Sequence, residues 1–338
     1  MSTRAVRRLL VSLALLTTTG TVARAVEALP KAVVEAIATE TKPAFPEEVS
    51  AALEKAASSG RDVAVVFNVP DWGGWCERIR KDILEQPKFT GAAAKQFVVV
   101  NLDFPRKSTG SVDARRVKLA YAKRYRITGY PVVLLLDKTG RAYAKAGWRE
   151  GGPAAYANHL AALKKAREKR DEQLEKARKN QGYIRAELAA GALGTIDAAL
   201  VRDYADQFEE LRAGDPQDRR GVIADYDITR LIDRVKDNVA ESRNRASGLW
   251  EFDAYLAAHP DLPKAKRQRV LLSRFAYIPK SGEDGLSRIA RCQKHIEDLR
   301  DMLELAPKSP FAKEIRVLIE SEESQLAQLR NESTDIPE

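Results

Sequence analysis

Cys76 and Cys292 are the only cysteines in the 338-residue chain. Cys76 closes the hexapeptide Asp71-Trp72-Gly73-Gly74-Trp75-Cys76. A cysteine at position 73 would complete a Trp-Cys-x-x-Cys motif, the spacing of a dithiol that exchanges disulfides in two steps. An exposed thiolate attacks, and a second cysteine resolves the mixed disulfide. Here the attacking position is Gly73, which has no side chain, and only the resolving position is filled. Cys76 alone can still form a mixed disulfide with a partner thiol, or it can be an inert structural thiol.

Little else in the chain offers chemistry. His159, His259 and His295 are isolated on predicted helices or helix ends, without metal-ligand spacing, and read as surface or capping residues. No phosphate loop and no Ser-His-Asp arrangement stands out, so no cofactor and no metal site is expected. Pro279-Lys280-Ser281-Gly282 reads as a plain turn, with no role for Lys280 as a base. Cys292 lies beside Ile289 and Ile296 on a predicted helix. It is either a buried free thiol or the partner of Cys76 in a structural disulfide.

The elements that must position Cys76 are legible from periodicity. The interrupted helical pattern over 26–59 stops at Ser58-Ser59-Gly60. Val63 to Val66, ending in Phe67, is a continuous apolar run and predicts a strand buried on both faces. After the Gly73-Gly74 turn, 75–84 has helical spacing, with Cys76 in its first turn. A second buried strand is predicted over 97–102, a helix over 113–125, and strands over 132–136 and 141–146, joined by the turn Asp137-Lys138-Thr139-Gly140. A helix then runs on from Pro153. This order predicts a small α/β sandwich with a mixed sheet.

Beyond residue 180 strand signals disappear, and helices are predicted near 196–213, 222–245, 249–258, 264–277, 285–305 and 310–329. Two similar helix ends place Pro260 and Pro307 47 residues apart. That exceeds the roughly 34-residue tetratricopeptide period, so the region reads as all-helical with weak repeat character.

The N-terminus has Arg4, Arg7 and Arg8, an apolar run from Leu9 to Leu16, and Ala23-Arg24-Ala25. That pattern is an export signal cut after Ala25, its apolar core being short of the roughly 20 residues of a membrane span. An exported chain without a transmembrane anchor after cleavage is expected, in the periplasm or outside the cell. Four of the 57 basic residues lie in that segment, leaving 53 against 48 acids. The remaining charge sits in mixed runs such as 164–179, which are solvated helix faces, so nucleic-acid binding is not expected.

Val66-Phe67, Asp71 to Cys76, Phe89, Val98 to Arg106 and Tyr125-Arg126-Ile127-Thr128-Gly129-Tyr130-Pro131 together resemble exported bacterial thioredoxin-like proteins. In those relatives the turn usually reads Asp-Trp-Cys-x-Trp-Cys. The resemblance covers about residues 45 to 165. It implies a thioredoxin-like α/β fold, a mixed sheet flanked by helices, followed by an all-α C-terminal domain. The organisation it suggests is 1–25 signal peptide, 26–44 helical segment, 45–165 thioredoxin-like domain, 166–190 charged helical linker, 191–330 helical domain and 331–338 tail. Pro131 would be the cis-proline facing the redox turn, the alternative being a trans proline that opens a strand. Trp72 and Trp75 would flank the turn as exposed aromatics or pack into the core. Phe67 stands where thioredoxins proper carry a buried acid.

Two functions remain open. In one, a groove formed by Trp72, Gly73, Gly74, Trp75, Tyr130 and Pro131 binds a protein or peptide partner without dithiol activity. In the other, Cys76 carries out monothiol exchange or redox sensing with a thiol-containing partner.

Overall fold

The computed structural model describes residues 44–71, 74–105, 111–278 and 287–334. The expected signal peptide, almost all of the 26–44 segment, Trp72, Gly73, the turn with Lys280 and residues 335–338 of the tail lie outside the described residues. Of the described residues, 48–105 and 125–334 form one compact unit, and 44–47 with 111–124 form another.

In the larger unit, helix α1 (Glu47–Ser59) buries Val49, Ala52 and Ala56, an i, i+3, i+7 stripe. Its chain turns at Gly60 into β1 (Asp62–Asn68), every residue of which is buried. The site turn follows, then α2 (Trp75–Ile79), which widens into a π-helical turn over Arg80–Leu84. A short helix, α3 (Pro87–Ala93), was not expected from the sequence. Pro87 in its first turn is preset for helical φ and loses no hydrogen bond there.

Strand β2 (Phe97–Asp103) pairs with β1 in parallel. Strands β3 (Val132–Leu136) and β4 (Ala142–Ala146) are antiparallel, and the order across the sheet is β2-β1-β3-β4. This order corrects one expectation. β2 is not buried along its length; it is an edge strand in which Phe97 and Leu102 are buried while Val99, Asn101 and Asp103 are exposed. A run of valines signals strand, but only the strand order decides whether one or two neighbours cover it.

Helix α4 (Val112–Arg124), in the smaller unit, carries Asp113 in its first turn and Lys123 and Arg124 in its last, matching the helix dipole. Within that unit Tyr121 meets the ring of Phe45 edge-on at 5.9 Å.

Helix α5 (Gly152–Arg178) runs 27 residues without a break at residue 165. Its first half lays Tyr156, Ala157 and Leu160 on the face of the sheet presented by Ala64, Val66, Val133 and Leu135. Its second half buries Arg170, Leu174 and Ala177. Asp62, at the start of β1, pins the helix to the sheet. Its carboxylate accepts from Arg167 at 2.8 Å and from the Tyr143 hydroxyl at 3.0 Å, and Lys164 lies at 3.9 Å.

The remainder is helical: α6 (Gly182–Leu193), a 3-10 turn (Val201–Tyr204), α7 (Ala205–Gly214), α8 (Val222–Ser242), α9 (Ala246–Ala258), α10 (Lys264–Phe275), α11 (Arg288–Leu305) and α12 (Ala312–Thr334). Helices α8, α9 and α10 share a core of Ile228, Leu231, Val235, Phe252, Leu256 and Val270. A second core joins Leu299 and Met302 of α11 to Ile315 of α12. No helix among the described residues is long and apolar enough to cross a membrane.

One expectation about a polar group needs correction here, and one open alternative is settled. His295 is not a surface or capping residue: only 9% exposed, it faces Glu322 across α11 and α12 at 3.2 Å. Cys76 and Cys292 are both buried free thiols, so no disulfide joins the two halves. Burial, the Glu322 charge and a hydrogen bond to Glu322 together push the Cys292 thiol up.

Candidate functional site

The turn after β1 is anchored by the sheet. Asn68 ends β1 opposite Asp103 of β2; its carbonyl accepts the Phe104 N–H at 2.8 Å, and its amide donates to Asp103 at 3.2 Å. These contacts fix where the chain leaves both strands. Gly74 precedes α2 with φ 63° and ψ −122°, a conformation that a residue with a Cβ rarely adopts. Its carbonyl accepts the Arg78 N–H at 3.0 Å and starts the helix.

Trp75 and Cys76 are the first two residues of α2, and they face opposite ways. Cys76 points inward and is 4% exposed, whereas the Trp75 indole is 53% exposed. Phe67, where the resemblance to thioredoxins would place a buried acid, is a fully buried phenyl ring. It stacks on Phe104 at 6.0 Å, and Phe104 meets Tyr130 at 5.5 Å.

Tyr130 is half-buried, and its peptide bond to Pro131 is cis. Pro131 itself is buried at the entrance to β3. Burial, with the nearby Cys76 sulfur as a second cause, raises the Tyr130 hydroxyl above the ordinary phenol value. Cys76 and Tyr130 thus interact electrostatically. No group of three or more metal-ligating side chains is present among the described residues.

Other residues at the site were missed from the sequence. The Trp148 ring lies 5.0 Å from that of Trp75, and the Arg78 guanidinium stands 5.0 Å over Trp75. Arg149 reaches across to His159 on α5, 2.7 Å from Nδ1. Burial and the Arg149 charge hold His159 below the ordinary imidazole value. The only signal for this cluster was the glycine spacing around it, Gly147 before Trp148 and Gly151-Gly152 after Arg149.

Chemically, the site is a buried thiol at the start of α2, next in the chain to an indole that is more than half exposed. The other cysteine, Cys292, is a buried free thiol on α11.

Residues 49–150 match the family model of the Thioredoxin-like domain. This segment is a thioredoxin-like domain. It makes up just under a third of the chain, and the rest is largely helical. The chain is 28% identical over 121 residues to the Disulfide bond reductase DsbH of Chlamydia pneumoniae, an alignment covering 36% of this chain and 73% of that protein. It is 29% identical over 96 residues to the Thioredoxin-related protein DsbJ of the same organism, covering 28% of each chain. Less than a third of DsbJ is thus spanned. A solved structure titled DsbH Oxidoreductase is 26% identical, covering 37% of this chain and 90% of that one, with a TM-score of 0.33.

Proposed function

We propose that this is an exported thioredoxin-fold protein that binds an extended peptide or protein segment at the Trp75, Cys76, Tyr130 and Pro131 site, without dithiol exchange. One observation carries the reading. The only cysteine of the site is 4% exposed, and the position three residues before it in the sequence is Gly73. A buried thiol cannot open a partner disulfide by in-line attack, and the two-step exchange needs a second sulfur within the motif. The similarity to a disulfide bond reductase supports a partner that contains thiols or disulfides.

The test is insulin reduction under standard dithiothreitol turnover. The wild-type chain should give the uncatalysed rate, and Gly73→Cys should give measurable catalysis. Catalysis by the wild type that Cys76→Ser abolishes would overturn the proposal.

A second reading, monothiol exchange through Cys76, is supported by the electrostatic interaction between Cys76 and the Tyr130 hydroxyl. A phenol there can donate to a thiolate as it forms. Labelling of the native protein with a thiol reagent separates the two. Fast modification of Cys76 supports exchange, and modification only after denaturation supports the binding module.

A further inference from the structure

Strand β2 is an edge of the sheet, and its own sequence specifies what can pair with it. It runs seven residues in unbroken register with β1 and contains no proline and no lysine. Edge strands are commonly blunted by such residues or by a bulge, so a regular edge of this length is an open template for another strand.

The direction of its hydrogen bonds is fixed. The Gln96 carbonyl accepts the Asp62 N–H at 3.0 Å, and the Phe104 N–H donates to the Asn68 carbonyl at 2.8 Å. Backbone groups alternate sides along a strand, so those of Val98, Val100 and Leu102 also face β1, whereas those of Phe97, Val99, Asn101 and Asp103 face away. Among the described residues no strand takes them. Val99 is 41% exposed in the middle of this edge.

Val99 is also a centre of symmetry in the sequence. Lys95 stands four residues before it and Asp103 four after, and these are the only charged residues from 95 to 103. Both are exposed, and Asp103 accepts from Asn68 through Oδ1, which leaves Oδ2 open. An antiparallel copy of the strand centred on Val99 sets Val99 against Val99, Phe97 against Asn101, and Lys95 against Asp103 at both ends. Each of these pairs joins outward-facing residues, the arrangement that exchanges both N–H···O bonds. Opposite charges directly across a pair of strands stabilise it. Moving the centre to Val98 or Val100 sets Lys95 against Asn101 or Pro105 and loses both charge pairs.

We propose that the chain pairs with a second copy of itself through β2, antiparallel and two-fold about Val99, so that two four-stranded sheets become continuous. A two-fold contact of this kind is closed and stops at a dimer. It does not depend on the peptide-binding reading.

Sedimentation equilibrium of the full chain at low ionic strength tests the pairing. The wild type should give twice the monomer mass. Val99→Pro removes an N–H that β1 does not use, Val99→Lys sets two like charges on the axis, and each should weaken the dimer about tenfold or more. Lys95→Asp should weaken it about threefold or more. Under mild oxidation Val99→Cys should cross-link the two copies, and Asn101→Cys, set against Phe97, should not. Far-ultraviolet circular dichroism establishes that each variant is folded. A wild type that stays monomeric at about 100 μM overturns the proposal, and slow amide exchange at Val99 in that monomer would assign the edge to a segment of the same chain. A dimer that neither Val99→Pro nor Val99→Lys weakens overturns it as well. Cross-linking of Asn101→Cys in preference to Val99→Cys overturns the register centred on Val99.

Discussion

His159 titrates against Arg149, and the sign of the effect follows from the geometry. The folded chain holds the imidazole below its ordinary value of 6.5, so the unfolded chain binds the proton more readily. Its contribution to stability is complete above that ordinary value and is lost as pH falls through the lower folded value. Proton-detected titration of His159 should therefore give a midpoint below the reference, and Arg149→Ala should move it upward. A midpoint at or above the reference would rule out the described contact. At Gly151 the positive φ and the 2.9 Å approach to Ala155 leave no room for a side chain. Gly151→Ala should cost about 1–3 kcal/mol in urea denaturation. By contrast, Gly91 is exposed within α3 with no atom within 4 Å of its ideal Cβ, and Gly91→Ala should stabilise by about 0.5–1 kcal/mol.

At the scale of elements, the joint of α5, β1 and β4 depends on Asp62. It is buried and accepts from Arg167 at 2.8 Å and from the Tyr143 hydroxyl at 3.0 Å, and the Arg167 guanidinium also lies 5.3 Å over the Tyr143 ring. The carboxylate also helps push the Tyr143 hydroxyl far above the ordinary phenol value, after burial as the larger cause. Removing the carboxylate leaves the partly buried Arg167 guanidinium with only Asp171 as a hydrogen-bonded carboxylate, at 3.1 Å, and the buried Tyr143 hydroxyl without its acceptor. Asp62→Ala should lower stability by about 3–5 kcal/mol, and Asp62→Asn by less. A loss below about 1 kcal/mol for Asp62→Ala would show that α5 is held by its apolar face alone. The elements around Asp62 were legible, since β1 announces itself as a run of β-branched residues and β3 as five consecutive apolar ones. The exception was α3, a seven-residue segment too short for periodicity to register.

At the scale of the molecule, the thioredoxin-like sheet and the helical half share polar contacts. Asp203 accepts from the Tyr125 hydroxyl at 2.9 Å and from the Ala142 N–H at 3.0 Å. Asp233, buried on α8, pairs with both Arg126 and Arg202. The Arg170 guanidinium donates to the Tyr204 hydroxyl at 2.6 Å. These contacts tie residues before β3 and on β4 and α5 to the helices beyond residue 200. Chemical denaturation followed by Trp fluorescence and by circular dichroism should therefore give coincident transitions. The double variant Asp203→Ala with Asp233→Ala should separate them. Coincident curves in the double variant would place the coupling in apolar packing instead.

The sequence alone determined the elements of a small α/β sandwich with a mixed sheet, because strand and helix periods and the turn at Asp137 to Gly140 are local properties of short segments, and the resemblance of its motifs implied the thioredoxin-like fold. It also determined that the residue three positions before Cys76 is Gly73, which carries no thiol. Tertiary structure alone decided which side chains meet near the start of α2. Phe104 meets Tyr130, Trp148 meets Trp75 and Arg149 meets His159 only when β2, β4 and α5 are placed around β1. Burial was decided there too. Two neighbouring residues at the start of one helix, Trp75 and Cys76, point to solvent and to the core, and the helix's orientation on the sheet sets which does which.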